Sequence, residues 1–207
     1  MPKTPNLPIP TSPFSNDQRS DHNAALPTPQ DGLDWRLLSL VLVTPDCIER
    51  GLQEQALDKL RENVFLSCIT NIIATEEQIM RHFSNLLSHE ASLSWPGVDI
   101  ASELKRLYVG REVCIGIAFA CGEMFDGPDA PDTATLVQHL IGHEDPAQAD
   151  PSTVRGKLGR DSIATALHQR RLVESVIHSS ASPAAAAREF GIWLEPLGMN
   201  VQTWTAP

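Results

Sequence analysis

The sequence predicts an all-α protein: a single helical domain of about five to six helices over residues 33–191, between a proline-rich arm at 1–32 and an irregular apolar tail at 192–207. Three observations point there. Helix-start chemistry recurs along the chain, apolar residues repeat every three or four positions, and no long alternating run argues for a strand. At 207 residues, with 42% hydrophobic and 20% charged side chains, the chain can bury one core. That composition excludes both an all-polar disordered chain and a small disulfide scaffold.

Residues 1–32 hold Pro2, Pro5, Pro8, Pro10, Pro13, Pro27 and Pro29 among small polar residues, too little apolar surface to offset the entropy of ordering. Pro10 and Pro13 form a P-x-x-P, a spacing that any proline-rich arm readily produces. Trp35–Val43 is a short apolar run compatible with helix or strand. Thr44-Pro45-Asp46 then starts a helix, with a capping hydroxyl, a proline at the first helical position and a carboxylate near the positive dipole end. Beyond Asn63 the run Val64–Ile73 is apolar nearly all round, as for a helix buried on several sides.

Thr75-Glu76-Glu77-Gln78 has the form of a capping box and opens a helix through Ser88. A long helix is expected from Asp99 to Phe125, its second half rich in small residues (Cys114, Gly116, Ala118, Ala120, Cys121) that let a neighbour approach closely. Asp132–Ile141 is a short capped helix, and Gly142–Pro151 an acidic linker. Asp161–Ser179 reads as an amphipathic helix, and Ser182-Pro183 begins another that Gly191 ends.

The formal charge of −10 is uneven: −6 over residues 33–126, −5 over 127–151 and +2 over 152–207. Cys47, Cys68, Cys114 and Cys121 are widely spaced, with no CxxC, which suits a reducing cytoplasm. No apolar run approaches the ~20 residues of a membrane span.

Constellations for catalysis are weak. His139 and His143 stand four apart, the spacing that presents two imidazoles to one zinc, but Gly142 and Pro146 break the helix there and no third ligand is identifiable. Glu174 and His178 share that spacing and read as a surface pair. Gly156-Lys157 lacks the following Ser or Thr of a phosphate loop. The sequence thus predicts a protein without catalytic, cofactor or metal sites.

The strongest local pattern is Leu167–Ile192, an apolar helix, a Ser/Pro turn and an alanine-rich helix. It resembles the first two helices of a helix-turn-helix of the transposase or simple-regulator kind. The resemblance implies nucleic-acid contacts by Arg170, Arg171 and Arg188. The reading helix should follow Ile192, yet Trp193-Leu194-Glu195-Pro196-Leu197-Gly198 is apolar and broken. The favoured expectation is therefore a non-catalytic adaptor or accessory subunit of a larger assembly, such as a secretion or regulatory complex. It would bind a protein partner through Trp193, Leu194, Leu197 and Trp204.

Overall fold

The computed structural model describes residues 34–88, 93–120 and 131–199. The arm before Leu33 and Trp204 lie outside that range.

The described chain is built on a four-stranded antiparallel sheet, with strand order β2-β3-β1-β4. The strands are β1 (Leu38–Val43), β2 (Phe65–Ile73), β3 (Glu112–Phe119) and β4 (Ile177–Ser179). Eight helices surround it: α1 (Pro45–Glu49), α2 (Gln53–Arg61), α3 (Glu76–His82), α4 (Ile100–Tyr108), α5 (Thr133–Ile141), α6 (Val154–Leu158), α7 (Ile163–His168) and α8 (Pro183–Trp193). The all-α expectation is therefore overturned; the fold is α/β.

The correction has a physical reason. β1 is buried along its whole length, and β3 at every position but Glu112. A strand covered on both faces is apolar at odd and even positions alike, so it reads as a continuous run. The alternation in β3 is one of size. Val113, Ile115, Ile117 and Phe119 join one core with Leu38, Leu40 and Leu42 of β1. Cys114 and Ala118 join a second core with Val41 and Val43. Cys114 and Ala118, expected on a helix face, thus share one face of strand β3, while Cys121 lies outside the described residues. Gly116 lies in the same row, where an added Cβ would meet Ile69 Cγ1 at 3.4 Å and Val41 Cγ2 at 3.5 Å.

The first core is closed by α3, α4 and α8 through Ile79, Phe83, Leu104, Phe190 and Trp193. The second is closed by α2, α5 and α6 through Leu57, Leu60, Val137, Ile141 and Val154. Two helical layers thus flank the sheet.

Local helix-start signals match the structure better. Thr75 and Gln78 form the reciprocal capping box, and Asp99, Asp132 and Ser182 each accept a backbone N–H as N-caps. Thr44 precedes Pro45 as expected, but its hydroxyl donates to Asp46 Oδ1 at 2.6 Å instead of capping. The expected helix over Asp161–Ser179 is reduced to Ile163–His168. It stops because Arg170 adopts a left-handed backbone (φ 55°) while Arg171 turns back to a paired Asp161. The first helix that a helix-turn-helix would need is absent, and His178 lies on β4. Among the described residues, no helix is long and apolar enough to cross a membrane.

Candidate functional site

β4 is short and pairs only with β1, Leu42 opposite His178 and Val43 opposite Ile177. Val176, just before it, sits at φ 69°, a strained conformation for a β-branched residue. Its carbonyl accepts the Thr44 N–H at 3.1 Å, which anchors the entry to the strand. The alternation along β4 then sends Ile177 into the second core and His178 toward α3 and α8.

There His178 meets two buried groups from distant segments. His82 ends α3 and is 3% exposed; Glu189 lies on α8 and is 2% exposed. The His82 and His178 rings pack edge-to-face with centroids 4.9 Å apart, and Phe83 lies 5.3 Å from His178. Trp193, also fully buried, donates its indole N–H to His82 Nδ1 at 3.1 Å. Ser180 links the cluster to the sheet: its hydroxyl donates to Glu189 Oε2 at 2.7 Å and accepts the Leu40 N–H at 3.0 Å. Arg188 reaches Glu189 Oε1 at 3.3 Å.

Electrostatics leave both imidazoles neutral at physiological pH. Burial, with the nearby Arg155 and Arg188 charges, pushes His178 down to about 3. Burial, aided by His178 and Arg188, holds His82 well below its ordinary value. Glu189 moves the other way: burial raises it to about 7 against the opposing bonds from Ser180 and Arg188. The 3.8 Å approach of His82 Nδ1 to Glu189 Oε1 is therefore a contact of a neutral ring with a carboxyl group, not an ion pair. A neutral, half-buried imidazole offers a nucleophilic lone pair.

The backbone of β4 is held from its open side. Arg155 of α6 is 7% exposed and donates to the carbonyls of Gly142 (3.0 Å), Ser175 (3.3 Å) and Ile177 (2.8 Å). Burial lowers its guanidinium to about 10, so it remains charged at neutral pH. The Ile177 carbonyl would otherwise be an edge acceptor without a strand partner, whereas Ser175 also accepts the Ile177 N–H at 2.7 Å.

Of the residues singled out from sequence, Trp193 and Arg188 touch the cluster, through His82 and Glu189. Trp193 and Leu194 are fully buried in the first core, while Leu197 is 46% exposed. Arg171 is paired with Asp161, Arg188 contacts Glu189, and Arg170 forms the left-handed turn. His139 and His143 take separate backbone partners, the Thr135 carbonyl at 2.8 Å and the Asp145 N–H at 3.0 Å. Among the described residues, the metal-ligating atoms that converge belong to His82, His178 and Glu189, all within 4.8 Å of one another. Sequence reasoning missed this cluster because its members are 96 and 11 residues apart. The one available signal was His82, a polar group amid the apolar Ile79, Met80 and Phe83 of a well-capped helix.

The family model described as "Nucleoside diphosphate kinase" matches residues 127–199, a segment that holds both His178 and Glu189. The nucleoside diphosphate kinase of Thermomicrobium roseum is 25% identical over 156 residues, covering 75% of this chain and 85% of that protein. The transition-state mimic of the Borrelia burgdorferi nucleoside-diphosphate kinase, with bound vanadate and ADP, superposes with a TM-score of 0.63. It is 22% identical and covers 76% of this chain and 86% of that one. The NDP kinase structure from Pyrobaculum aerophilum gives a TM-score of 0.60 at 22% identity, covering 76% and 95%. These findings overturn the expectations of a non-catalytic adaptor, of a DNA-binding regulator and of a protein that is not an enzyme. The chain shares its fold with nucleoside diphosphate kinases, and its sequence similarity runs to the same enzymes.

Proposed function

We propose that the protein transfers a phosphoryl group from a nucleoside triphosphate to a nucleoside diphosphate, with His178 as the relay. The observation that carries this reading is the neutral, half-buried His178 imidazole inside the segment that matches the kinase family model. A lone pair of the imidazole attacks the γ-phosphorus. The bond from phosphorus to the bridging oxygen breaks, and the nucleoside diphosphate leaves with that oxygen. A second nucleoside diphosphate then takes the phosphoryl group through its terminal oxygen, which restores the ring. Glu189 supplies a nearby carboxyl group to offset the positive charge that the ring carries while phosphorylated. The vanadate and ADP in the Borrelia enzyme mark the same kind of transfer on the same fold.

Incubation with γ-labelled ATP in magnesium buffer tests the proposal. The expected product is a protein-bound label that is stable in base and lost in acid, absent from His178→Ala and retained in Arg170→Ala. Wild-type protein that takes up no label, or His178→Ala that labels equally, would overturn it.

For partners, the reading favours another protein at the open edge of β2, where Phe65 and Ile73 are 46% and 61% exposed. A concentration-dependent sedimentation coefficient that Ile73→Lys abolishes is the expected result. A reducing compartment such as the cytoplasm suits the thiols of Cys47, Cys68 and Cys114, which form no disulfide among the described residues.

A further inference from the structure

We propose that His82, His178 and Glu189 form a three-ligand site for a single zinc-class divalent ion, and that metal capture withdraws His178 from phosphoryl transfer. Only the second clause rests on the relay reading above; the site itself does not.

The case is geometric. Three groups from three separate elements, the end of α3, β4 and α8, bring their ligating atoms within 4.8 Å of one another. His82 Nδ1 and Glu189 Oε1 are 3.8 Å apart. Ligands on a tetrahedral ion with bonds of about 2.0–2.1 Å stand roughly 3.4 Å from each other, so that pair needs to close by only about 0.4 Å. Two imidazoles and one carboxylate are the mixed N/O set that zinc accepts, with a fourth position left for water or a phosphate oxygen. His178 is the half-buried member, so the fourth position opens on its side.

The surroundings fit ligation as well. While Glu189 Oε1 faces His82 and also accepts from Arg188 at 3.3 Å, a bond that ligation would displace, the Ser180 hydroxyl holds Oε2. Such outer bonds orient ligating carboxylates. His82 is not a fully satisfied core histidine. Its Nδ1 has the Trp193 N–H, but its buried Nε2 has no hydrogen-bond partner. Capture of the ion must shift the Trp193 bond to His82, so the indole reports binding directly.

Cobalt(II) titration of the metal-stripped protein tests the site without nucleotide. The expected result is a one-to-one, saturable rise in the visible absorption of tetrahedral cobalt, with quenching of Trp193 fluorescence and displacement by zinc. His178→Ala and Glu189→Gln should each weaken binding about tenfold or more, as loss of a first ligand does, while His139→Ala leaves it unchanged. Glu189→Gln retains an acceptor for Ser180; if it fails to fold by circular dichroism, the half-buried His178→Ala carries the test. Absence of saturable binding, or equal affinity in His178→Ala, would refute the site. One equivalent of zinc should also abolish γ-phosphoryl labelling in magnesium buffer, and undiminished labelling would refute the regulatory clause. Protein that binds cobalt but never labels would retain the metal site and discard the relay.

Discussion

The two edges of the sheet differ in length, exposure and protection. β2 is nine residues long and half exposed, and its pairing with β3 shifts register at a bulge between Ser67 and Thr70, with Cys68 at φ 56°. β4 is only three residues long, yet Ile177 and Ser179 are buried and Arg155 donates to the Ile177 carbonyl and to that of Ser175 just before the strand. A bulge twists an edge away from further pairing, whereas a buried guanidinium occupies one of its acceptors. The difference teaches where a reactive group can be positioned. His178 sits on the edge whose backbone is held, and among the described residues the three metal-ligating groups that converge include none from β2.

The contrast breaks most completely at Arg155. Arg155→Met strips charged donors from three carbonyls; a buried acceptor left unpaired costs about 1–3 kcal/mol, and of the three Ser175 keeps the Ile177 N–H. We expect an unfolding free energy lower by about 4 kcal/mol in urea titration, together with faster amide exchange at Ile177 and His178. A change under 1 kcal/mol would show that β4 is held by its apolar contacts alone.

Between the edges, Ala118→Leu should cost about 1–3 kcal/mol by overpacking the second core. Ala118 is fully buried, in the small-residue row of β3. Gly116→Ala in the same row should be near neutral, because its added Cβ meets neighbours at ordinary contact distance. Denaturant midpoints of the two variants read the comparison directly.

The loop that leads into β4 depends on Asp161, which receives two bonds from Arg171 and the Glu174 N–H. Burial raises its carboxyl, but those bonds outweigh it and hold the group below the usual range. A depressed folded value stabilises the native state above the ordinary aspartate range, and the gain is lost as pH falls through the folded value. Wild-type protein should therefore lose stability on acidification below about pH 4, whereas Asp161→Asn, already weaker by about 2 kcal/mol, should change less over that interval. Parallel slopes would refute the assignment.

The smallest effect belongs to the open edge. Ile73→Lys should alter folding stability by no more than about 0.5 kcal/mol, since the side chain is 61% exposed. A loss of several times that would mean β2 is load-sharing in the monomer, and the edges less different than they look.

How much of this was legible in the sequence depends on range. The caps at Thr75, Asp99, Asp132 and Ser182 act over three residues and are visible in any window that contains them. β1 and β3 were illegible as strands because burial on both faces erases the period-two signal, leaving only an alternation of large and small side chains. Arg170 and Val176 hid two breaks within the expected helix, since neither residue type advertises a left-handed backbone. The candidate site was the least readable. The pairing of His82 with Trp193 is a tertiary fact that no local pattern encodes.

The separation of those partners also bears on how the molecule is made. Trp193 lies 111 residues from His82, and Ser180 lies 140 residues from Leu40. During synthesis the three strands β1, β2 and β3 are all present once Phe119 has emerged, and their pairing closes far shorter loops. β4 and α8 follow last and must search for an assembled sheet, the slowest kind of contact to form. Until they dock, His82 and Phe83 remain uncovered on the nascent chain. The reactive cluster is therefore a late product of folding, and a chain arrested early would possess the sheet without the site.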